Sequence, residues 1–355
     1  MNDAPRSHLT SRFTSELDLG TPFVLAATKG LAFLGVKPDS PGFFVASCDA
    51  DELLRQHPSF AAILKPYFNG VDLNSRPVIA PERYVIDFTG LSLEEAAKYE
   101  PLLVHLERNV KPNCPWIRWW QFNRPAAALG KAVTRMAKFL ASARVTKHLA
   151  FQFVPATFVY SDKVVAIARS DWTTFTVLSS SLHLVWAEAL GTRSMAGTFN
   201  YQPTECVQTM AFPSAVTKQS LEGVGSQYYE HRSEVMKNQS EGLTDTYNRF
   251  HDSDKISTDI QNLRELPVEL DNAVAATYGW TDLNLGHGFH DTKQGIRYTI
   301  SEPARSEVLA RLLKLNHERY AEEVAQGLHE KKPKSAKLKP KSKPTANRPD
   351  LFAGE

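Results

Sequence analysis

Apolar and polar residues change rhythm near Ser214, and the change divides the chain in two. Upstream, short apolar runs alternate with helical patterns. Residues 43–46 and the alternating stretch 84–88 predict strands, and residues 49–57 predict a short helix. Ser92 with Glu95 forms a capping box, so a helix is expected from Leu93. Pro125 predicts the opening of another helix, running to about Ala141. Residues 151–154, 158–160 and 164–168 read as strands, with Ser161-Asp162 turning the last pair. Leu178, Leu182, Val185, Trp186 and Ala189 share one helical face, which Gly191 ends. A loop of Gly, Thr and Ser, an extended piece at 198–201 and the segment 206–213 close this part.

Downstream of Ser220 the pattern is helical. Residues 221–238, 244–250, 258–278 (broken near Pro267) and 304–328 predict helices, the last with Val308, Leu312, Leu315 and Tyr320 near one stripe. An irregular stretch, 279–300, separates the final two. After Leu328 the chain is Lys, Pro and Ser, which cannot bury a core and is expected to be disordered. The expected organisation is α+β. A disordered lead spans 1–19 and a mixed α/β domain 20–214. A mainly helical domain follows over 215–328, then a basic tail over 329–355.

Composition narrows the function classes. The 355 residues are 42% hydrophobic, with no apolar run of eighteen, so no membrane span is expected. The first sixteen residues are polar and lack a signal core. Cys48, Cys114 and Cys206 are isolated, without a Cys-x-x-Cys spacing, which argues against a disulfide framework or thiolate zinc site and for a reducing, cytoplasmic setting. The net charge of +2 is uneven. From His329 to Glu355 eight Lys/Arg face three Asp/Glu, a surplus of five, which leaves the rest at −3. Nucleic acid would therefore have to be met by local patches, with the tail adding a sequence-blind contribution.

Two basic groups are candidates for such patches. Lys111, Arg118, Arg124, Lys131, Arg135 and Lys138 are interleaved with Trp116, Trp119, Trp120 and Phe122. Cations neutralise phosphates, and Arg forks onto guanine in the major groove. Duplex DNA hides its base faces, so Trp119 and Trp120 are expected in the core, on alternate sides of a strand. Arg144, Lys147, His148 and Arg169 form the second group, flanking the strands after Lys138. An ordinary solvated positive face is the competing reading of both. Asn69, Asp72, Asn74 and Ser75 read as a turn first and base contacts second.

Enzymatic signatures are weak. His287, His290 and Asp291 lack a further firm metal ligand. Gly223-Val224-Gly225 and Gly286-His287-Gly288 neither follow a strand nor open a helix as a nucleotide loop does. Asp87, Glu94, Glu95 and Lys98 could supply a magnesium nuclease, but Glu95 and Lys98 fall on the helix after the strand.

Three separated stretches read together. They are Lys65-Pro66-Tyr67-Phe68-Asn69-Gly70 with Arg83-Tyr84-Val85-Ile86-Asp87-Phe88; Val110-Lys111-Pro112 with Arg118-Trp119-Trp120-Gln121-Phe122; and residues 281–323, with Gly288-Phe289-His290 and Leu315-Asn316-His317-Glu318-Arg319-Tyr320. Their order resembles the C-terminal part of MmeI-like restriction–modification enzymes, large adenine methyltransferases that carry their own DNA-specificity domain. The likeness extends from about Gly20 to Glu323. One departure is Met210-Ala211-Phe212-Pro213, where the family pattern has Phe-Pro-Phe-Pro.

The resemblance implies a target-recognition domain to about Ser214 and a helical C-terminal domain that supports it. Double-stranded DNA would be met by Lys111, Arg118, Arg124, Arg144, Lys147 and Arg169. Family members carry nuclease and methyltransferase regions upstream. Here no Asn-Pro-Pro or Asp-Pro-Pro occurs, the loop type that grips a flipped adenine. The expectation is a specificity module without a catalytic centre or cofactor of its own. S-adenosylmethionine would then belong to a partner methyltransferase chain. The rivals are a metal-dependent nuclease around Asp87 and a non-functional remnant of a split gene.

Overall fold

Strands that bury both faces hold the first part of the chain together. A computed structural model describes residues 20–193, 198–213 and 218–330; the expected disordered lead, and the tail from residue 331, lie outside them. The main sheet runs Ala32–Leu34, Val164–Ile167, Lys138–Ala143, Gln152–Pro155, with every pair antiparallel. A second sheet runs Phe44–Ala46, Arg83–Ile86, Leu64–Phe68, Val159–Tyr160, and its last pair is parallel.

Lys138–Ala143 corrects the helix expected from Pro125 to Ala141. Only Ala127–Val133 is helical, entered through Ala126 at φ 49°, and the chain then becomes a central strand. Leu140 packs with Val165, Ile167 and Phe153 into one core, while Phe139 and Ala141 pack with Val154, Val164 and Ala166 into another. A strand covered on both sides shows no alternation, so its apolar run mimics a buried helix.

Ser161-Asp162 is a second correction. Val159–Tyr160 and Val164–Ile167 do not pair; the chain leaves one sheet and enters the other between them. The opposite crossing is made at Gly35, between Leu34 and the bridge from Val36 to Ser161. A Cβ on Gly35 would lie 2.0 Å from the Tyr160 carbonyl oxygen and 2.4 Å from that of Ser161. Both are backbone atoms in paired segments, so relief requires the sheets to part. Gly35→Ala is therefore expected to cost about 3 kcal/mol, the upper end for overpacking. A urea midpoint within error of wild type would contradict it.

The helical stretch around Leu178 is two helices, Trp172–Ser179 and Ser181–Leu190, because Ser180 turns extended and caps the second by accepting from the His183 N–H. They pack against Lys218–Gln239 and Thr258–Thr277. Thr258–Thr277 passes through Pro267 without the expected break. The stretch read as irregular contains a hairpin, Gly288–Thr292 with Gly295–Thr299, closed by Lys293-Gln294 and a Gly295 at φ 87°. Leu243–Phe250 and Glu302–Ala325 complete the helical part.

One core crosses Ser214. Phe175, Trp186 and Tyr201 from before it share a cluster with Val235, Leu263, Val274 and Leu312 from after it. Polar ties repeat the pattern. The buried Asp271 carboxylate accepts from the Ser181 N–H at 2.7 Å and meets His287 Nε2 at 2.8 Å. Glu323 accepts from the N–H groups of Ala26 and Ala27, and Asn316 bonds the backbone of Phe23 and Thr209. No helix among the described residues is long and apolar enough to cross a membrane.

Candidate nucleic-acid interface

The basic candidates separate into committed and free side chains. Lys111 is committed: its ammonium donates to Glu107 at 2.5 Å and lies 5.1 Å from the centre of the Trp119 ring. Lys138 sits 4.3 Å over the Phe153 ring. Arg118, Arg124, Lys131 and Arg135 are exposed, and none makes a side-chain hydrogen bond or ion pair among the described residues. Exposed cations without local partners keep their donors for a ligand's phosphates or base edges.

The segment presenting Arg118 is irregular, not the expected strand. Trp119 and Trp120 meet edge to face at 6.0 Å and both pack, half-buried, on the core beneath the second sheet. Trp120 donates to the Leu91 carbonyl at 3.0 Å, and Gln121 reaches the same oxygen. These anchors fix the loop and leave Ile117, 92% exposed, and Arg118 at its surface.

The second basic group is split by the length of a strand. Leu140 N–H donates to the Arg169 carbonyl, which puts Arg169 beside the Lys138 end of the sheet. Arg144 follows the other end, where its N–H bonds the Lys163 carbonyl. At about 3.4 Å per residue these ends lie roughly 15–20 Å apart. Arg169 thus joins the end that carries Lys138; at the other end Arg144 has its Nε buried without a partner, and Lys147 reaches the helical part. Lys147 donates to Asn248 Oδ1 at 2.6 Å, and the His148 ring meets the same oxygen at 3.0 Å.

The polar residues after Phe68 are consumed locally. Asn69 accepts from the N–H groups of Val71 and Asp72, and Asp72 accepts in return from the Asn69 N–H. Asp72 also pairs with Arg76 and Arg83, and Asn74 donates to Thr146. The expected turn is instead a short helix, Gly70–Ser75, and Asn69 with Asp72 forms its capping box.

Other candidates are held apart. His287 faces Asp271, whereas His290 bonds the Gly286 carbonyl. Glu95 closes the cap on Ser92, and Asp87 accepts from the Thr89 N–H with Lys65 at 3.7 Å. Among the described residues no three His, Cys, Asp or Glu side chains gather as a metal-holding group.

Sequence reading missed Arg232, His251 and Arg297. These meet Lys147 and His148 in a cleft of about 1240 Å³ between the sheet end and the helical part. The residues come from four separate elements, so no local spacing announces them.

Comparisons agree with this architecture. The profile of the MmeI target recognition domain matches residues 29–214. No curated protein matches. Among solved structures, the Type IIL restriction–modification enzyme MmeI in complex with DNA superposes with a TM-score of 0.64 at 13% identity. The match covers 89% of this chain and 39% of that one, so the chain spans well under half the length of the enzyme it resembles.

Proposed function

Because the chain belongs to the MmeI target-recognition-domain family, we propose that it is the DNA sequence-specificity module of a restriction–modification or related phage-defence system. The observation that carries this is the family match over residues 29–214. Within that region Arg118, Arg124, Lys131 and Arg135 are exposed with unclaimed donors. In this reading the irregular loop and the sheet ends present cations to the duplex, and the helices after residue 218 brace them.

Chemistry is done elsewhere. Adenine methylation needs a methyl-donor site and a polar loop that grips the flipped base. The sequence has no Asn-Pro-Pro or Asp-Pro-Pro to build that loop. The module docks on a methyltransferase chain in the cytoplasm and sets which adenine that chain reaches; S-adenosylmethionine binds the partner.

Calorimetry of the protein with S-adenosylmethionine is expected to show no binding. Methylation of a defined site is expected only when a compatible methyltransferase chain is added. Binding of the methyl donor to this chain alone, or methylation without a partner, would overturn the division of labour.

A further inference from the structure

The cleft between the main sheet and the helical part collects Lys147, Arg232 and Arg297, none of which forms an ion pair among the described residues. Arg232, on Lys218–Gln239, is 1% exposed. Its guanidinium donates to the Tyr247 hydroxyl at 3.3 Å and the Phe151 carbonyl at 2.6 Å, and its Nε has no partner. It lies 5.3 Å from the Tyr229 ring centre and 5.5 Å from that of Tyr228. Removing an ion from water costs several kcal/mol, and buried charges are ordinarily paired. Aromatic faces return part of that.

The positive field continues toward the surface. Tyr247 packs beside His148, and the His148 and His251 rings stack at 5.1 Å with an interplanar angle of 23°. His251 Nδ1 has no hydrogen-bond partner. Arg297, half-buried on the hairpin, makes no side-chain hydrogen bond or ion pair among the described residues, and its Nε is shielded from solvent. Lys147 is exposed at the same cleft and bonds only the neutral Asn248. Burial first, then the nearby Arg297 and Lys147 charges, push His148 down to about 4, against an upward pull from its bond to Asn248.

The carboxylates of the cleft offset this charge only in part. Glu188 acts on Arg297 through space, but its oxygens are bonded by Arg193 and Arg305, each at 2.8 Å. Glu205, Asp291 and Glu302 are exposed at the rim and form no ion pair with Lys147, Arg232 or Arg297. A volume of about 1240 Å³ exceeds what one small ligand needs, whereas a duplex would not reach the buried Arg232.

We propose that this cleft is a binding site for a phosphate group, with Arg297 and Lys147 as its direct donors and Arg232 as the buried charge that draws the anion in. The chemistry suits a small nucleotide or the terminal phosphate of a DNA strand. It shares only Lys147 with the candidate DNA contacts; Arg232 and Arg297 are not among them.

Calorimetry of the full chain with inorganic phosphate, with adenosine monophosphate, and with a short duplex bearing or lacking a 5′-phosphate tests it. The expected result is saturable one-to-one binding of the monophosphate that weakens at least tenfold in both Arg297→Ala and Lys147→Ala, and is unchanged in Lys98→Ala, far from the cleft. Competition by the 5′-phosphorylated duplex alone identifies a strand end as the source; no competition by either duplex identifies a free nucleotide. The proposal is overturned if no phosphate-bearing probe binds, or if Lys98→Ala weakens binding as much as the cleft variants do.

Discussion

Lowering the pH from 7 to 4 is expected to remove most of the stability of this protein. Three histidines shielded from water carry the effect: His183, His148 and His251, the last stacked on His148 and pushed well down, chiefly by burial. His183 is 0% exposed, between Phe151 and Tyr201, with its Nε2 at 2.8 Å from the Tyr201 hydroxyl and its Nδ1 unpartnered. Burial alone pushes it down to about 3. His148 is pushed down to about 4, chiefly by burial. A folded pKa below the unfolded value of about 6.5 means that the unfolded chain binds more protons in between. The stability is therefore complete above pH 6.5 and falls as pH drops toward 4. At 1.36 kcal/mol per unit, each histidine accounts for roughly 3 kcal/mol by pH 4. Together they approach the whole stability of an ordinary domain, about 5–15 kcal/mol. Urea midpoints measured from pH 7 to 4 are expected to fall steeply through this window, and His183→Gln to flatten the fall by about a third, as one of three shielded rings that titrate alike. A flat profile down to pH 4.5 would contradict the burial of these neutral rings.

Cutting the chain after Pro213 is expected to abolish cooperative folding of what remains. The cut strips Val235, Leu263, Val274 and Leu312 from the cluster holding Phe175 and Trp186. It also removes Asp271, which accepts from Ser181, and Glu323, which fixes Ala26 and Ala27. Each large apolar side chain left exposed forfeits about 1.5–3 kcal/mol of burial, so a few such losses exceed the stability available. Residues 20–213 alone should aggregate or bind a hydrophobic dye. A sharp unfolding transition with native near-ultraviolet dichroism would show that the helical part is dispensable.

Local chemistry was legible in the sequence and long-range geometry was not. The Ser92–Glu95 box closes as read because both partners lie within four residues. The helices after Ser220 carry long periodic patterns and appear where expected. The strand Lys138–Ala143 was hidden because its two faces are buried in different clusters. The crossing at Ser161 was hidden because a turn signal does not say which sheet receives the next strand. The hairpin at Gly288–Thr299 alternates too weakly to stand out, with polar side chains on both faces.

The candidate interface divides in the same way. Arg118 and Arg124 stay exposed and unclaimed, as a basic segment beside anchored tryptophans suggests. Lys111 is drawn onto Glu107, four residues before it, and onto the Trp119 ring, which only the folded loop brings close. Arg144 and Arg169 are separated by the strand between them. Arg232 and Arg297 converge from distant segments, which no motif records.

Selection of bound duplexes from a randomised pool, at one fixed salt concentration, tests the central claim most directly. The full chain is expected to enrich a defined motif. The selection is repeated with Arg118→Ala, Arg124→Ala, Arg144→Ala, Lys147→Ala and Arg169→Ala. A side chain that forks onto a base edge contributes about 1–3 kcal/mol of discrimination, so at least one variant should relax the motif at a single position while remaining folded. A phosphate contact instead weakens all sequences alike. Enrichment of no motif by the wild-type chain, or a motif that survives all five substitutions and shifts only with changes after Ser220, would contradict the assignment of sequence reading to residues 20–214.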